Sequence, residues 1–200
     1  MAVRRPYRRR GFLEDGTELV IEQLTGRDCP AEFMRIDNAL ITEGGHILRS
    51  EPLNFEQEEG WLRERSRAKR LGTEILLKAY ANGRLVGYCL ASRDPSTETC
   101  DADLGIVVEK TWRRHGIGRI LLTEAIDLAE RIWQARRISL SVVRDNRNAI
   151  RLYESLGFKQ AAAPSRVCRN DGMPLELLAM VLDRDKTGST ASQERSRMPA

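Results

Sequence analysis

The pattern of hydrophobic and polar positions divides the chain into strands of period two and helices of period 3.6. Residues 18–24, with the sequence ELVIEQL, predict a short strand. Asp28 is predicted to cap a following helix, with Pro30 in the first turn, where a missing N–H costs little. That helix is expected to end near Thr42, because two glycines follow.

A second helix is predicted from Asn54 to about Arg70, since Asn54 and Gln57 have the spacing of a capping box. Its few apolar positions place it on the outside of the domain. Two strand-like segments follow, ILLKAYA and RLVGYCLAS, and Asn82 and Gly83 separate them. An Asn-Gly pair in this position predicts a tight β-hairpin.

The next segment, DADLGIVV, alternates in a way that predicts a strand with two different faces, one with Leu104, Ile106 and Val108 and the other with Asp103, Gly105 and Val107. A long amphipathic helix follows, then the strand RISLSVV, the helix NAIRLYESLG and two closing strands. The order β-α-α-β-β-β-α-β-α-β-β predicts one α/β domain with a mixed sheet over residues 13–183.

Composition indicates a globular protein, because 41% of the 200 residues are hydrophobic and 31% are charged. No apolar segment approaches the length of a membrane span, and the start of the chain lacks a signal peptide, so we expect a cytoplasmic protein without a membrane partner. The four cysteines and two histidines show no metal-ligand spacing, so no metal site is predicted.

The net charge of +4 comes from the two ends of the chain. Residues 1–12 hold five arginines and no acid, and residues 184–200 carry a net +2, which leaves the body with a net −3. We therefore predict a basic flexible arm over 1–12 and a disordered tail over 184–200. A nucleic-acid partner is not expected, because the positive charge is not on the folded body.

The most informative segment is TWRRHGIGRILL, in which Gly116 and Gly118 stand at the start of the long helix. A helix start presents unpaired N–H groups and the positive end of the helix dipole, and glycine lets a large anion approach the backbone. The Walker pattern fails here because Gly118 is followed by Arg119 and Ile120. The dinucleotide fingerprint also fails, since Leu121 occupies the position of its third glycine.

The wider context adds to this signal. The segment LGIVV precedes the glycines, and the segments VVRDNRNAIRLYESLGF and RNDGMPLELLAMVL follow them. Over about residues 74–182 the sequence resembles the GNAT superfamily of acetyl-CoA-dependent N-acyltransferases, with a departure at Trp112, where a tyrosine is commoner. The resemblance implies the GNAT fold and transfer of an acetyl group from acetyl-CoA to an amine of a small molecule, amino acid or protein N-terminus.

The resemblance also implies roles for individual residues. Tyr153 is expected to protonate the leaving sulfur, and Asp103 is expected to act as the base, through a bridging water if needed. Asn146 is expected near the pantetheine arm. The remaining cofactor-binding positions are the strand residues Ile106, Val107 and Val108 and the loop residues Arg113, Arg114, His115, Gly116, Ile117 and Gly118.

Several alternatives stay open on the sequence alone. Tyr153 could instead pack on Phe158 with its hydroxyl in water. Asp103 could instead form an ion pair with a neighbouring arginine or lysine. The chain could act on RNA-borne or ribosomal amines through its basic arm, or serve as a non-catalytic CoA sensor. A homodimer is also left open, and the loops at 41–54 and 160–174 are expected to shape the acceptor site.

Overall fold

The structure of the protein is a computed structural model that describes residues 7–44, 46–96 and 101–184. Within these ranges the chain forms one nine-stranded sheet and four α-helices. The strands and helices, in chain order, are β1 (Arg8–Phe12), β2 (Glu18–Gln23), α1 (Pro30–Thr42), α2 (Phe55–Leu71), β3 (Glu74–Ala81), β4 (Arg84–Ser92), β5 (Asp101–Val108), α3 (Ile117–Trp133), β6 (Arg137–Val143), α4 (Arg147–Ser155), β7 (Lys159–Gln160), β8 (Ser165–Cys168) and β9 (Pro174–Asp183).

The sheet runs in the order β1-β2-β3-β4-β5-β6-β9-β7, and β8 also pairs with β9. All neighbouring strands are antiparallel except β5 and β6, which are parallel. The predicted α/β class and mixed sheet are therefore confirmed. The order of elements differs from the prediction by β1 at the start and by β8 before the last strand.

The two faces of the sheet carry different cores. One buried cluster holds most of α3 with the inward side chains of α4, including Leu121, Leu122 and Tyr153. The other cluster packs α1 and α2 on the opposite face through Phe33 and Leu62. The alternation predicted for β5 matches this division, because its even-numbered apolar residues join the first cluster and Val107 joins the second.

Two local sequence patterns, the capping box of α2 and the Asn-Gly turn, form the structures that were predicted for them. Asn54 Oδ1 accepts a hydrogen bond from Gln57 N at 2.9 Å, and Gln57 Oε1 accepts one from Asn54 N at 3.0 Å, which is the predicted capping box. Asn82 and Gly83 have φ values of 49° and 77°, as a two-residue hairpin between β3 and β4 requires. Strong local patterns thus fixed α2 and the central hairpin.

Two predictions are wrong in their local detail. Residues Arg8–Phe12, predicted as part of a flexible arm, form β1 and pair along β2, while residues 1–6 of that arm lie outside the described ranges. Asp28 does not cap α1, whose N-cap residue is Cys29. The Asp28 carboxylate instead accepts hydrogen bonds from the backbone of Thr25 and Gly26 and pairs with buried Lys78.

The disordered tail predicted for 184–200 falls almost wholly on residues 185–200, which lie outside the described residues. Among the helices of residues 7–44, 46–96 and 101–184, none combines the length and the apolar character that crossing a membrane requires.

Candidate active site

A cleft opens where the two parallel strands of the sheet separate. β5 and β6 pair only over Asp101–Asp103 and Arg137–Ser139, although β5 continues to Val108. β6 remains paired with β9 along its whole length, from Arg137 to Val143. The carboxyl half of β5 therefore has no strand partner on its β6 side, and the first residues of α3 and α4 flank this gap.

The loop between β5 and α3 leaves backbone donors unpaired beside the cleft. Arg114 and Gly116 have φ values of 71° and 79°, and α3 begins at Ile117. The first hydrogen bond of the helix runs from Ile120 N to Gly116 O at 3.1 Å. No group in the described part of the chain accepts a hydrogen bond from the N–H groups of residues 114–118. These donors fit the diphosphate of a coenzyme.

Arg113 differs from its neighbours in the loop. Its backbone N–H donates to Lys110 O at 3.2 Å, so the predicted contact of that N–H with a diphosphate is not available. Its guanidinium donates from Nε to Val108 O at 3.0 Å and from Nη1 to Glu43 Oε2 at 2.9 Å. Arg113 therefore ties the loop to β5 and to the end of α1.

His115 lies at the exposed edge of the same loop. Its Nδ1 is 3.0 Å from Arg113 O, and its ring lies 5.9 Å from that of Trp112, centroid to centroid. That His115 neighbours a bound diphosphate stays a prediction. The Trp112 ring supports the loop in place of the tyrosine that is commoner there.

The three predicted strand residues face different ways. Glu109 N donates to Val86 O, and a Cβ added to Gly87 would lie 2.6 Å from Val107 O. Because successive backbone groups of a strand point to opposite edges, those of Val107 face β4. The backbone groups of Ile106 and Val108 therefore face the cleft, where an extended pantetheine arm could pair with them. The Val108 carbonyl is already taken by Arg113.

Tyr153 reaches the cleft side of the sheet from α4. Its side chain is buried, its ring is 6.0 Å from Phe158, and it lies within electrostatic range of Cys89, the β4 partner of Ile106. Burial raises the pKa of Tyr153 to about 12, and Cys89 adds to the rise. The phenol therefore stays protonated at neutral pH and can act as a donor.

Asn146, the other predicted contact on this side, is the N-cap residue of α4. Its Oδ1 accepts a hydrogen bond from Ala149 N at 3.2 Å, which fixes the start of the helix beside the cleft. The side-chain NH₂ of Asn146 is not used in that bond, so it is the part of the residue that could contact the pantetheine region.

Asp103 sits at the apex of the cleft, where β5 and β6 still pair. Its Oδ1 accepts a hydrogen bond from Ser139 Oγ at 3.0 Å. Burial by neighbouring atoms raises the pKa of this carboxyl, and the Ser139 hydrogen bond works in the opposite direction. Asp103 is four residues from Val107 along the strand, about 13 Å at the ordinary rise of a β-strand.

A cavity of about 390 Å³ lies on the α1–α2 face of the sheet, beside β5. Its lining combines apolar side chains from α1 and the following loop with charged and aromatic groups. Arg49 comes from the segment 41–54 that was expected to shape the acceptor site, whereas Asp37, Glu58 and Tyr88 were not singled out from the sequence. The lining residues that matter for chemistry are Asp37, Arg49, Glu58, Trp61, Tyr88 and Val107. Val107 joins this cavity to the strand whose edge faces the cleft.

Two carboxyl groups of the cavity are strongly desolvated. Burial raises the pKa of Asp37 to about 6, although it accepts a hydrogen bond from Tyr88 Oη at 2.7 Å. Burial raises the pKa of Glu58 to about 7, and the charge of Asp37 adds to that rise. Arg49 lowers the pKa of both groups. Both acids can therefore change protonation near neutral pH.

Backbone and side-chain contacts hold the loop that closes this cavity. Asn38 on α1 donates to Leu53 O at 2.9 Å and accepts from Leu53 N at 2.6 Å. Asn170, in the turn before β9, donates from its backbone N to Leu48 O at 3.2 Å. The two loops expected to shape the acceptor site thus meet at Leu48.

Comparison with known proteins identifies the family. Residues 44–158 match the family model described as the acetyltransferase (GNAT) family. The chain belongs to this family. Among solved structures it is similar to the ribosomal-protein-alanine N-acetyltransferase of Brucella melitensis, with a TM-score of 0.70, 27% identity and coverage of 82% of this chain and 98% of that one. It also shares the fold of yncA from Salmonella typhimurium, solved with its cofactor acetyl-CoA, with a TM-score of 0.71, 24% identity and coverage of 87% and 98%.

Curated GNAT relatives match over shorter segments. One is the N-terminal acetyltransferase A complex catalytic subunit NAA10 of Arabidopsis thaliana, 39% identical over 39% of this chain and 42% of the relative. Another is the N-alpha-acetyltransferase RimI of Mycobacterium tuberculosis, 34% identical over 47% of this chain and 58% of the relative. The chain spans less than two thirds of the length of these relatives.

Within this GNAT domain, the structure brings together some of the predicted residues and leaves others apart. The start of α3, β5 and α4 meet at Gly118, where an added Cβ would lie 3.8 Å from Ile106 Cδ1 and 3.3 Å from Cδ2 of Leu152, the residue before Tyr153. Asp103 does not line the cavity. The cavity acids were missed because Asp37 and Glu58 lie on different helices. The one local signal for Glu58 was its place in the first turn of α2, four residues after the cap.

Proposed function

We propose that this protein transfers the acetyl group of acetyl-CoA to a primary amine of a small molecule, an amino acid or a protein N-terminus. The observation that carries the proposal is the set of unpaired N–H groups at residues 114–118, which lies beside the gap between β5 and β6. The names of relatives support an amine acceptor, since one is an L-amino acid N-acetyltransferase and others are N-alpha-acetyltransferases.

In this mechanism the protein's backbone holds the coenzyme. The N–H groups of residues 114–118 hold its diphosphate, and the cleft-facing backbone groups of Ile106 and Val108 orient its extended arm. Acetyl-CoA supplies an activated acetyl thioester. Tyr153 donates its hydroxyl proton to the departing sulfur, for which a phenol that is protonated at neutral pH is suited.

The acceptor amine must lose a proton before it attacks, since an ammonium ion has no lone pair. Asp103 is one proposed base, held by Ser139 at the apex of the cleft and acting through a water. Asp103→Asn tests this role, because loss of the base would lower kcat at least tenfold without weakening acetyl-CoA binding. An unchanged kcat would show that another group is the base.

Calorimetric titration of acetyl-CoA tests the proposal as a whole. Gly116→Glu places a carboxylate where φ is 79° and next to the free N–H groups, so binding should weaken by at least tenfold. Gly72→Glu is a matched control, because Gly72 has a φ of 74°, has open space around it and ends α2 beside Trp133, at the opposite end of α3 from residues 114–118. Equal binding to the wild type and to Gly116→Glu would remove the proposed coenzyme site.

A role for the basic arm in binding RNA has less support. Arg8, Arg9 and Arg10 each form an ion pair with an acid of the same chain, at Glu22, Glu124 and Glu18. Removing residues 1–6 and measuring RNA binding across salt concentrations tests whether the other arginines of the arm, Arg4 and Arg5, bind RNA. Release of free CoA thiol in the presence of any amine would dismiss the alternative of a non-catalytic sensor.

A further inference from the structure

The cavity on the α1–α2 face contains a carboxylate without a partner. Glu58 is only 1% exposed, and its Oε1 atom is buried with no hydrogen-bond partner in the described structure. Burying a carboxylate oxygen without a donor is unfavourable, and native proteins seldom leave one so. A ligand that brings a donor into the cavity would satisfy it.

The groups that face Glu58 come from every element around the cavity. Asp37 stands on α1, Arg49 on the loop before α2, and Tyr88 on β4. The Tyr88 hydroxyl donates its hydrogen bond to Asp37, not to Glu58. Arg49 lines the same cavity but forms no ion pair with either carboxylate, both of which lie in the described residues. The cavity therefore holds separated charges of both signs.

We propose that this cavity is the acceptor site and that it binds an amino acid, with the ammonium group between Glu58 and Asp37 and the carboxylate on Arg49. The proposal rests on the proposed function and names its substrate class. Two acids and one guanidinium complement one ammonium and one carboxylate, and they leave one carboxylate to receive a proton. Val107 places this site against the strand that faces the cleft.

The charges also explain how the amine becomes neutral. The α-amino group at a chain terminus has a pKa of about 8, whereas a lysine side chain has one of about 10.4. The carboxylate of a free amino acid holds the proton on its amine more strongly, and Arg49 would offset this effect by pairing with that carboxylate. Burial and the charge of Asp37 raise the pKa of Glu58 to about 7. Proton transfer to Glu58 is therefore less unfavourable than transfer to an ordinary carboxylate, and less unfavourable from an α-amino group than from a lysine side chain.

The transfer is balanced in atoms and charge. The Glu58 carboxylate takes one proton from the ammonium and leaves a neutral amine. The nitrogen forms a bond to the acetyl carbon, the carbon–sulfur bond breaks, and the sulfur takes the proton of the Tyr153 hydroxyl. The nitrogen loses its second proton to that phenolate, and Glu58 returns its own proton to solvent.

The experiment compares matched acceptors in an assay of CoA thiol release. The best substrate of a twenty-amino-acid panel is measured beside its amide and its decarboxylated amine. The wild type should show a kcat/KM at least tenfold higher for the amino acid than for either analogue. Arg49→Met should bring that ratio close to one, because the guanidinium selects the carboxylate. A wild type that acetylates the analogues as well as the amino acid would overturn the proposal.

A second variant separates chemistry from structure. Glu58→Gln should lower kcat at least 100-fold and abolish the rise of kcat/KM with pH near neutrality. Glu59→Gln, on the exposed side of the same helix turn, should retain the wild-type rate and pH profile. An unchanged pH profile in Glu58→Gln would also overturn the proposal.

Acetyl-CoA binding is measured for every variant. Failure of the wild type to bind acetyl-CoA would refute the proposed function, whereas binding and turnover without any effect of Arg49 or Glu58 would refute the acceptor site alone. Arg49→Met and Glu58→Gln should both bind acetyl-CoA as the wild type does, which shows that they are folded.

Discussion

The proposed coenzyme side and the proposed acceptor side of this molecule are built from different parts of the polypeptide. Around residues 114–118 and the edge of β5, the groups available for binding are backbone N–H and C=O groups from two adjacent elements. In the cavity they are side chains, drawn from α1, α2, β4 and the loop before α2. Both sides meet at β5, whose edge faces the cleft and whose Val107 side chain lines the cavity.

This difference separates binding groups that do not depend on side-chain identity from groups that do. Backbone donors at a helix start hold a phosphate whatever the neighbouring side chains are, provided that glycine allows the approach. Carboxylates and a guanidinium in one cavity select one arrangement of charge. The proposed coenzyme side is therefore the part that members of one family can share. The proposed acceptor side would decide which amine is used.

The largest expected effect comes from the one side chain that would perform chemistry on the coenzyme side. Tyr153→Phe should lower kcat by 100-fold or more, about 2.7 kcal/mol of barrier, because the sulfur loses its proton donor. Steady-state kinetics beside acetyl-CoA calorimetry measures this, with Tyr80→Phe on β3 as the control. A kcat within twofold of the wild type would show that Tyr153 only packs on Phe158, and that the coenzyme side works through backbone groups alone.

A single substitution between β4 and β5 should damage both sides together. Gly87→Ala places a methyl group 2.6 Å from Val107 O and 3.3 Å from Val108 Cα, so β5 must move away. We expect the free energy of unfolding to fall by about 1–3 kcal/mol in urea titrations, with weaker acetyl-CoA binding. Gly105→Ala, on the neighbouring strand β5, is the control, because nothing lies within 4 Å of the added methyl. Normal acetyl-CoA binding in Gly87→Ala would mean that β5 does not link the two sides.

The acceptor side should also be the one that costs stability. The folded-state pKa of Glu58, about 7, lies above its ordinary value of 4.5, so ionisation disfavours the folded state. The associated stability is present below pH 4.5 and is lost as the pH rises through about 7. The unfolding free energy of Glu58→Gln minus that of the wild type should therefore increase by about 1–2 kcal/mol from pH 5 to pH 8. An equal difference at both pH values would contradict this.

The smallest effect is expected at the ion pair that joins the two sides. Glu43 at the end of α1 holds the guanidinium of Arg113, and both side chains are partly exposed. Glu43→Gln should change stability by only about 0.2–1 kcal/mol and acetyl-CoA affinity by less than tenfold. Calorimetry at low and high salt checks both the size and its electrostatic origin. A larger loss would show that α1 positions the coenzyme loop.

The sequence allowed prediction of those parts of the structure that neighbouring residues determine. The cap of α2, the hairpin at Asn82 and Gly83 and the start of α3 each follow from a few consecutive positions. The free N–H groups of the turn before α3 were predicted for the same reason, apart from Arg113, whose backbone N–H bonds to Lys110. Its donors belong to one continuous segment, so no long-range contact had to be known.

What could not be predicted depends on contacts between distant segments. β1 carries three arginines in a row and has no apolar alternation, and only its pairing with β2 makes it a strand. Asp28 had the local features of a cap, but the charge of Lys78, fifty positions away, determines its place. Asp37 and Glu58 resemble ordinary surface acids in the sequence, and only the packing of α1 against α2 buries them together.

The amide of Asn38 bonds to both backbone groups of Leu53 and so closes the segment between them into a ring. The ends of this segment are held in place independently of the residues within it. Evolution can therefore replace its interior as one exchangeable unit, while the cap of α2 and the central strands stay where they are. Homologous enzymes that differ mainly in this ring would keep one common acyl donor and diverge in the metabolites they modify.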